Sequence, residues 1–113
     1  MSKADKKVLS LVGLAAKAGR IASGEFQTET AVKSGEAKLV LVAEDASDNT
    51  KKLFHDKCSF YQIPVIVYGE KEELGAAIGK EYRASIAVLD DGFANAVQKK
   101  LNEQISQGNN GGK

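Results

Sequence analysis

The side chains best suited to chemistry are few. His55 and Cys58 stand three residues apart, which on a helix can bring an imidazole beside a thiol. Cys58, however, falls on an apolar stripe with Phe54 and Tyr61, and a buried cysteine of that kind is an inert packing residue. The pair also falls short of the tetrahedral ligand set of a structural zinc. Asp90 and Asp91 are adjacent acids at the end of an apolar run, where acids in α/β enzymes often act. They directly precede a helical pattern, so capping that helix is their expected role. Neither G-x-x-x-x-G-K-[ST] nor G-x-G-x-x-G occurs. No catalytic residue, metal site or cofactor is expected.

A different chemistry suits the stretch GRIASGEFQTETAVKSGEAKLVLVAED, Gly19 to Asp45. Gly24 allows a sharp turn and close approach of a partner. Free N–H groups at the helix start after it attract anions such as phosphate. Glu25 can accept hydrogen bonds from the amino and imino edge of a base, and Gln27 can both donate and accept. Phe26 offers a stacking face, with Thr30 and Lys33 one or two turns on. Lys17 and Arg20, just upstream, can pair with backbone phosphates. The same residues also admit a plainer reading. Glu25 then complements the helix dipole, Phe26 tucks into the core, and the rest is solvated.

These positions need a scaffold, and the apolar pattern supplies one. Val8, Leu11, Val12, Ala15 and Ala18 repeat with helical spacing, and Gly19 can end that helix. Ile21–Ala22 reads as a very short strand and Gly24–Ser34 as a helix closed by Gly35. KLVLVA, Lys38 to Ala43, is continuously apolar, as a central strand covered on both faces should be. Asp45 and Ser47 are the expected caps of the next helix, with Thr50, Leu53, Phe54, Cys58 and Tyr61 on its inner side. After Pro64, Val65–Tyr68 reads as a strand and Glu70–Ile78 as a short helix with Leu74, Ala77 and Ile78 inward. Gly79–Arg83 is a loop, Ser85–Leu89 the last strand, and Phe93, Val97, Leu101 and Ile105 mark a closing helix. Strands alternating with helices give an α/β protein, a three-layer α/β/α sandwich with a parallel or mixed sheet of about four strands. Residues 1–106 read as a single domain, and the low-complexity Gln107–Lys113 as a flexible tail.

Composition narrows the class. The chain has 113 residues, 42% of them apolar and 27% charged, with a formal net charge of +1. Nothing suggests disorder or a membrane protein, and Met1–Lys7 lacks the apolar segment of a secretory signal. With its single cysteine, the chain reads as cytoplasmic and monomeric. Generic nucleic-acid binders are more basic, so RNA binding would need lysines and arginines gathered on one face. Lys51 and Lys52 read as a solvated helix face.

SGEFQTETAVKSGEAKLVLVAEDAS, IPVIVYGEKEELGAAIGKE and IAVLDDGFA together resemble the kink-turn-binding ribosomal protein family, of which the archaeal L-seven-Ae type is best known. LVGLAAKAGRIASGE and EDASDNTKKLFHDKC look most like its small bacterial YlxQ-like branch. The resemblance covers about Leu9 to Ala94. It implies a mixed four-stranded sheet and binding to sharply bent RNA containing sheared G·A pairs, ribosomal RNA among the partners and ribosomal proteins beside it. In the family a helix start of the pattern G-x-N-E-x-x-K reads guanine edges. Here Gly24 matches, while Phe26 replaces the asparagine, Gln27 the glutamate and Thr30 the lysine. The resemblance also places Asp45 beside the RNA loop and the Gly79–Arg83 loop against an extruded nucleotide. Lys80 and Arg83 would hold phosphates there, and Tyr82 would stack on a base or pack on the preceding helix. The leading expectation is a non-enzymatic, translation-associated RNA-binding protein. A protein-interaction module on the same scaffold is the alternative, and a small-molecule enzyme rests on fold analogy alone.

Overall fold

The computed structural model describes residues 4–111, with side chains as far as residue 103. In chain order the elements are α1 (Lys6–Lys17), β1 (Ile21–Ser23), α2 (Glu25–Ser34), β2 (Leu39–Val42), α3 (Asp48–Tyr61), β3 (Val65–Val67), α4 (Lys71–Ala77), β4 (Ser85–Val88) and α5 (Asp91–Gly111). The strands form one mixed sheet in the order β1-β4-β2-β3. β4 is antiparallel to both β1 and β2, and β2 is parallel to β3.

Every residue of β2 and β4 is buried, as their unbroken apolar runs require. Helices must therefore cover both faces. α2 and α3 pack together on one side, and α1, α4 and α5 on the other. This is the α/β/α sandwich with about four strands expected from the sequence. Val8 and Val12 of α1, Phe54 and Cys58 of α3, Leu74 of α4 and Val97 of α5 close the core around the sheet. Burying each of the larger side chains contributes about 1.5–3 kcal/mol before the entropy of ordering it.

The helix ends follow local chemistry. Asp5 caps α1 by accepting from the Lys7 N–H at 2.7 Å. Ser47 caps α3, its Oγ accepting from the Thr50 N–H at 3.1 Å. Glu70 and Glu73 form a capping box at α4. Asp90 caps α5, its Oδ2 accepting from the Phe93 N–H at 2.9 Å. Gly35 ends α2 in the left-handed region at φ 83°.

Two expectations about α3 differ from the structure. Asp45 does not cap α3; its Oδ1 accepts instead from the Lys71 N–H of α4 at 2.8 Å. Tyr61 leaves the inner stripe of α3 and is exposed, its ring edge-on to Phe60 at 4.9 Å. It is the last residue of its helix, and Gln62 turns the chain away at φ 60°. The backbone of α5 runs as helix through Gln107 to Gly111. Glycine and asparagine are weak helix formers, but unlike proline they keep every backbone donor. Residues 112–113, like the side chain of Ile105, lie outside what is described.

α4 and the following loop meet at a glycine. A Cβ on Gly75 would lie 2.6 Å from the carbonyl oxygen of Glu81 and 2.8 Å from the backbone nitrogen of Tyr82. Backbone cannot yield there as a flexible side chain would. Gly75→Ala is expected to lower stability by about 1–3 kcal/mol, as overpacking does. Urea denaturation should show a lower midpoint at unchanged slope.

Candidate RNA interface

Gly24 stands at the junction of β1 and α2 with φ 87° and ψ 160°. That backbone suits glycine, and no atom lies within 4 Å of where a Cβ would sit. Its N–H donates to the Ser85 carbonyl at 3.0 Å, and its carbonyl accepts from the Thr28 N–H at 2.9 Å. The N–H groups of Glu25, Phe26 and Gln27 precede the first intrahelical bond, and no side chain caps this helix start. They form a small electropositive end beside an open backbone.

α2 is anchored by a narrow stripe of Thr28, Ala31 and Val32, all buried. The remaining positions are released to solvent. Glu25, Phe26, Gln27 and Thr30 are exposed, Phe26 to 76% of its surface. Phe26 therefore does not tuck into the core; an aromatic ring stands in water at the helix start. Phe26, Thr30 and Lys33 repeat at i, i+4, i+7 and share one helix face. Lys33 pairs with Glu29 at 3.7 Å, and Glu29 also reaches Lys57 of α3 at 3.8 Å.

Hydrogen bonds join this helix start to the other two expected regions. Arg83 Nε donates to the Ser23 Oγ at 3.0 Å, one residue before Gly24. The Arg83 N–H donates to the Lys71 carbonyl at 3.0 Å, and the Lys71 N–H donates to Asp45. The Ala43 N–H donates to the Ala84 carbonyl at 2.9 Å, and the Glu44 N–H to the Gly69 carbonyl at 2.7 Å. Gly24, Asp45 and the Gly79–Arg83 loop thus meet at one end of the sheet. Lys80 and Tyr82 are exposed on that loop, Tyr82 to 60%. Arg83 is only partly exposed, because Ser23 and the Tyr82 carbonyl, 2.7 Å from Nη1, hold its guanidinium.

Arg20 is not part of this cluster. Its carbonyl accepts from the Leu89 N–H at the opposite end of β1 and β4. The strand between it and Gly24 carries it about 13 Å away. Conversely, reading the sequence missed Ser23, which orients Arg83, and Lys71, which links Asp45 to the loop. No sequence signal marks either: both act through contacts far along the chain.

The chemistry first considered for His55 and Cys58 is absent from this end. Cys58 is fully buried, and burial pushes its thiol up to about 11. His55 is exposed on the other side of α3. Among the described residues no group of acids, histidines and cysteines could hold a metal ion, and no helix is long and apolar enough to cross a membrane.

Residues 6–98 match the model of the ribosomal protein L7Ae/L30e/S12e/Gadd45 family. The chain belongs to that family. Within it, the chain is 46% identical over 85 residues to the RNA-binding protein YlxQ of Bacillus subtilis, covering 75% of this chain and 85% of that one. The kinship with the YlxQ-like branch expected from the sequence is therefore real. A solved Bacillus halodurans protein of unknown function superimposes with a TM-score of 0.81 at 46% identity, covering 84% of this chain and 96% of the other. The Giardia lamblia 15.5 kDa RNA-binding protein shares the fold, with a TM-score of 0.72 at 24% identity and 90% of each chain covered.

The state of Cys58 is testable. A folded-state thiol raised from 9.0 to about 11 holds its proton where the unfolded chain loses it. The resulting stability is complete below the unfolded value and is lost as pH rises through the folded one. At pH 8, Ellman's reagent is expected to label Cys58 only at the rate of unfolding, and urea midpoints should fall between pH 9 and 11.

Proposed function

We propose that this protein binds RNA bent as in a kink-turn, through the end of the sheet where Gly24, Asp45 and the Gly79–Arg83 loop converge. The convergence is the observation that carries the reading. Three helix N–H groups, two exposed aromatic rings and two basic loop residues share that end. Such a set suits a folded RNA with splayed nucleotides, which offers phosphates, base edges and unstacked faces together. The RNA-binding names of the relatives support the same reading.

Roles follow from position. The N–H groups of Glu25, Phe26 and Gln27 face the sugar-phosphate backbone or a guanine edge. The carboxylate of Glu25 accepts from base amino groups, and the Gln27 amide donates and accepts. Phe26 and Tyr82 stack on unpaired bases. Lys80 and Arg83 hold phosphates, and Lys33 extends the contact one turn along α2. Asp45, with one oxygen given to Lys71, fixes the loop and presents its other oxygen. Arg20, at the far end of the strand, contributes at most long-range attraction. The protein acts as a monomer in the cytoplasm, associated with translation, with ribosomal RNA as the natural target and ribosomal proteins as neighbours.

A simple kink-turn RNA titrated by gel shift at two salt concentrations tests this. Wild type is expected to bind, with a salt slope that counts the engaged phosphates. Gln27→Ala and Arg83→Ala should each weaken binding about fivefold or more, the effect of losing one good polar contact. Phe26→Ala should cost about 1–3 kcal/mol if a base stacks on it. Replacing the sheared G·A pairs by Watson–Crick pairs should abolish the preference for bent RNA. No binding at low salt, or binding indifferent to these three substitutions, removes the reading and favours a protein-interaction module.

A further inference from the structure

The face of α1 turned away from the sheet carries an unexplained pairing of apolar and cationic groups. Leu14 is 53% exposed. It lies between two surface grooves, both of which it lines together with Lys6 and Ser10. One groove, of about 550 Å³, is completed by Leu9, Gly13, Ala77 and Lys17. The other, of about 300 Å³, is completed by Lys7, Leu11 and Lys100. Every charged residue lining either groove is a lysine.

The charges are unusually placed for a helix's own benefit. Lys6 and Lys7 occupy the first turn of α1, which holds no acid, so they oppose the positive end of the helix dipole. Asp5 offsets this as the cap. Lys100 pairs with Glu103 at 3.4 Å, whereas Lys6, Lys7 and Lys17 make no ion pair among the described residues. The 12 residues of α1 set these charges along a strip of roughly 18 Å.

We propose that this face docks an acidic amphipathic helix of a partner protein. Apolar side chains of the partner seat in the grooves beside Leu14, and carboxylates on its flanks pair with Lys6, Lys7 and Lys17. Nucleic acid would satisfy the lysines but would leave the exposed leucine against a charged backbone. The strip also lies on the sheet face opposite α2, and it ends at Lys17, towards the Arg20 end of β1. Its Lys6 end adjoins Ala4 and Asp5, which bond Glu73 and Tyr68 at the Asp45 end, so separation from the Gly24 helix start rests on the opposite sheet face, and the proposal does not depend on RNA binding.

A synthetic peptide of about 14 residues, with leucines at i, i+3, i+4 and i+7 and glutamates elsewhere, serves as the probe. Fluorescence anisotropy with the full chain at low salt should show binding. A scrambled peptide of the same composition should bind at least about tenfold more weakly, since only one face of the helix fits the grooves. Leu14→Glu, and separately the double change Lys6→Glu with Lys17→Glu, should each weaken binding by about tenfold or more. Urea midpoints establish that the variants fold, and Leu14→Ser replaces Leu14→Glu if the latter does not. Equal binding of the scrambled peptide, or indifference to the Leu14 change, overturns the proposal. So does a kink-turn RNA affinity that falls with Leu14→Glu as far as the peptide affinity does, because the face would then belong to RNA.

Discussion

The burial of β2 and β4 on both faces is the constraint from which the rest of the molecule follows. Two strands without a polar side cannot lie at the surface, so helices must cover the sheet above and below. Once they do, the ends of the strands are where turns and helix starts can expose backbone groups. The direction of the strands then decides what meets there. β1 and β2 both run antiparallel to β4, so both leave the sheet at the end where β4 enters it. β3 is parallel to β2 and leaves at that end too. Gly24, Asp45, Gly69–Lys71 and Arg83 are therefore neighbours by topology before any side chain is considered. The Arg83–Ser23 and Asp45–Lys71 hydrogen bonds fix an arrangement that the strand order has already made.

Much of this was legible because the informative signals are local. The apolar run of β2, the helical repeat of α1, the capping of α5 by Asp90 and the inertness of Cys58 all follow from residues within a few turns of one another. What escaped was decided across the fold. Asp45 lies beside Ser47 in the chain, and both are good capping residues. Which helix Asp45 serves depends on where β3 delivers Lys71, 26 residues away. Arg20 lies close to Gly24 in sequence, yet an extended strand separates them more effectively than a helix of equal length would. Phe26 was ambiguous for another reason. Its neighbours permit burial or exposure, and the choice rests with the stripe of Thr28, Ala31 and Val32, which turns position 26 outward.

The departures from the G-x-N-E-x-x-K pattern change the kind of contact more than its location. The helix start keeps its glycine, its uncapped N–H groups and its open approach. At the Asn, Glu and Lys positions stand a ring, a neutral amide and a short hydroxyl. In the proposed complex, a directional, charge-assisted reading of base edges gives way to stacking and neutral hydrogen bonds. Stacking accepts any base, so affinity can persist while discrimination among sequences falls. A net charge of +1 works the same way: with little overall attraction, binding depends on the few cations placed at this end.

α4 is the element that touches both surfaces discussed above. On one side a Cβ at Gly13 of α1 would stand 2.9 Å from the carbonyl oxygen of Ala77. On the other, Gly75 meets the backbone of Glu81 and Tyr82 even more closely. At its start, the Glu73 carboxylate accepts from the Ala4 N–H at 3.2 Å and, in the capping box, from the Glu70 N–H at 3.0 Å. Nothing in these contacts is soft: they are backbone against backbone, or a carboxylate shared by two donors. A helix held this way has little room to move independently, and packed interiors shift between discrete arrangements or not at all. The grooves along α1 and the loop that carries Tyr82 are thus joined through a stiff element. Occupying one would transmit to the other only if α4 moved as a body, and the two glycine contacts that would have to slide are the tightest in the protein's own backbone packing at glycine. If both proposals hold, the geometry favours independent filling of the two surfaces, one at the end of the sheet and one along its flank.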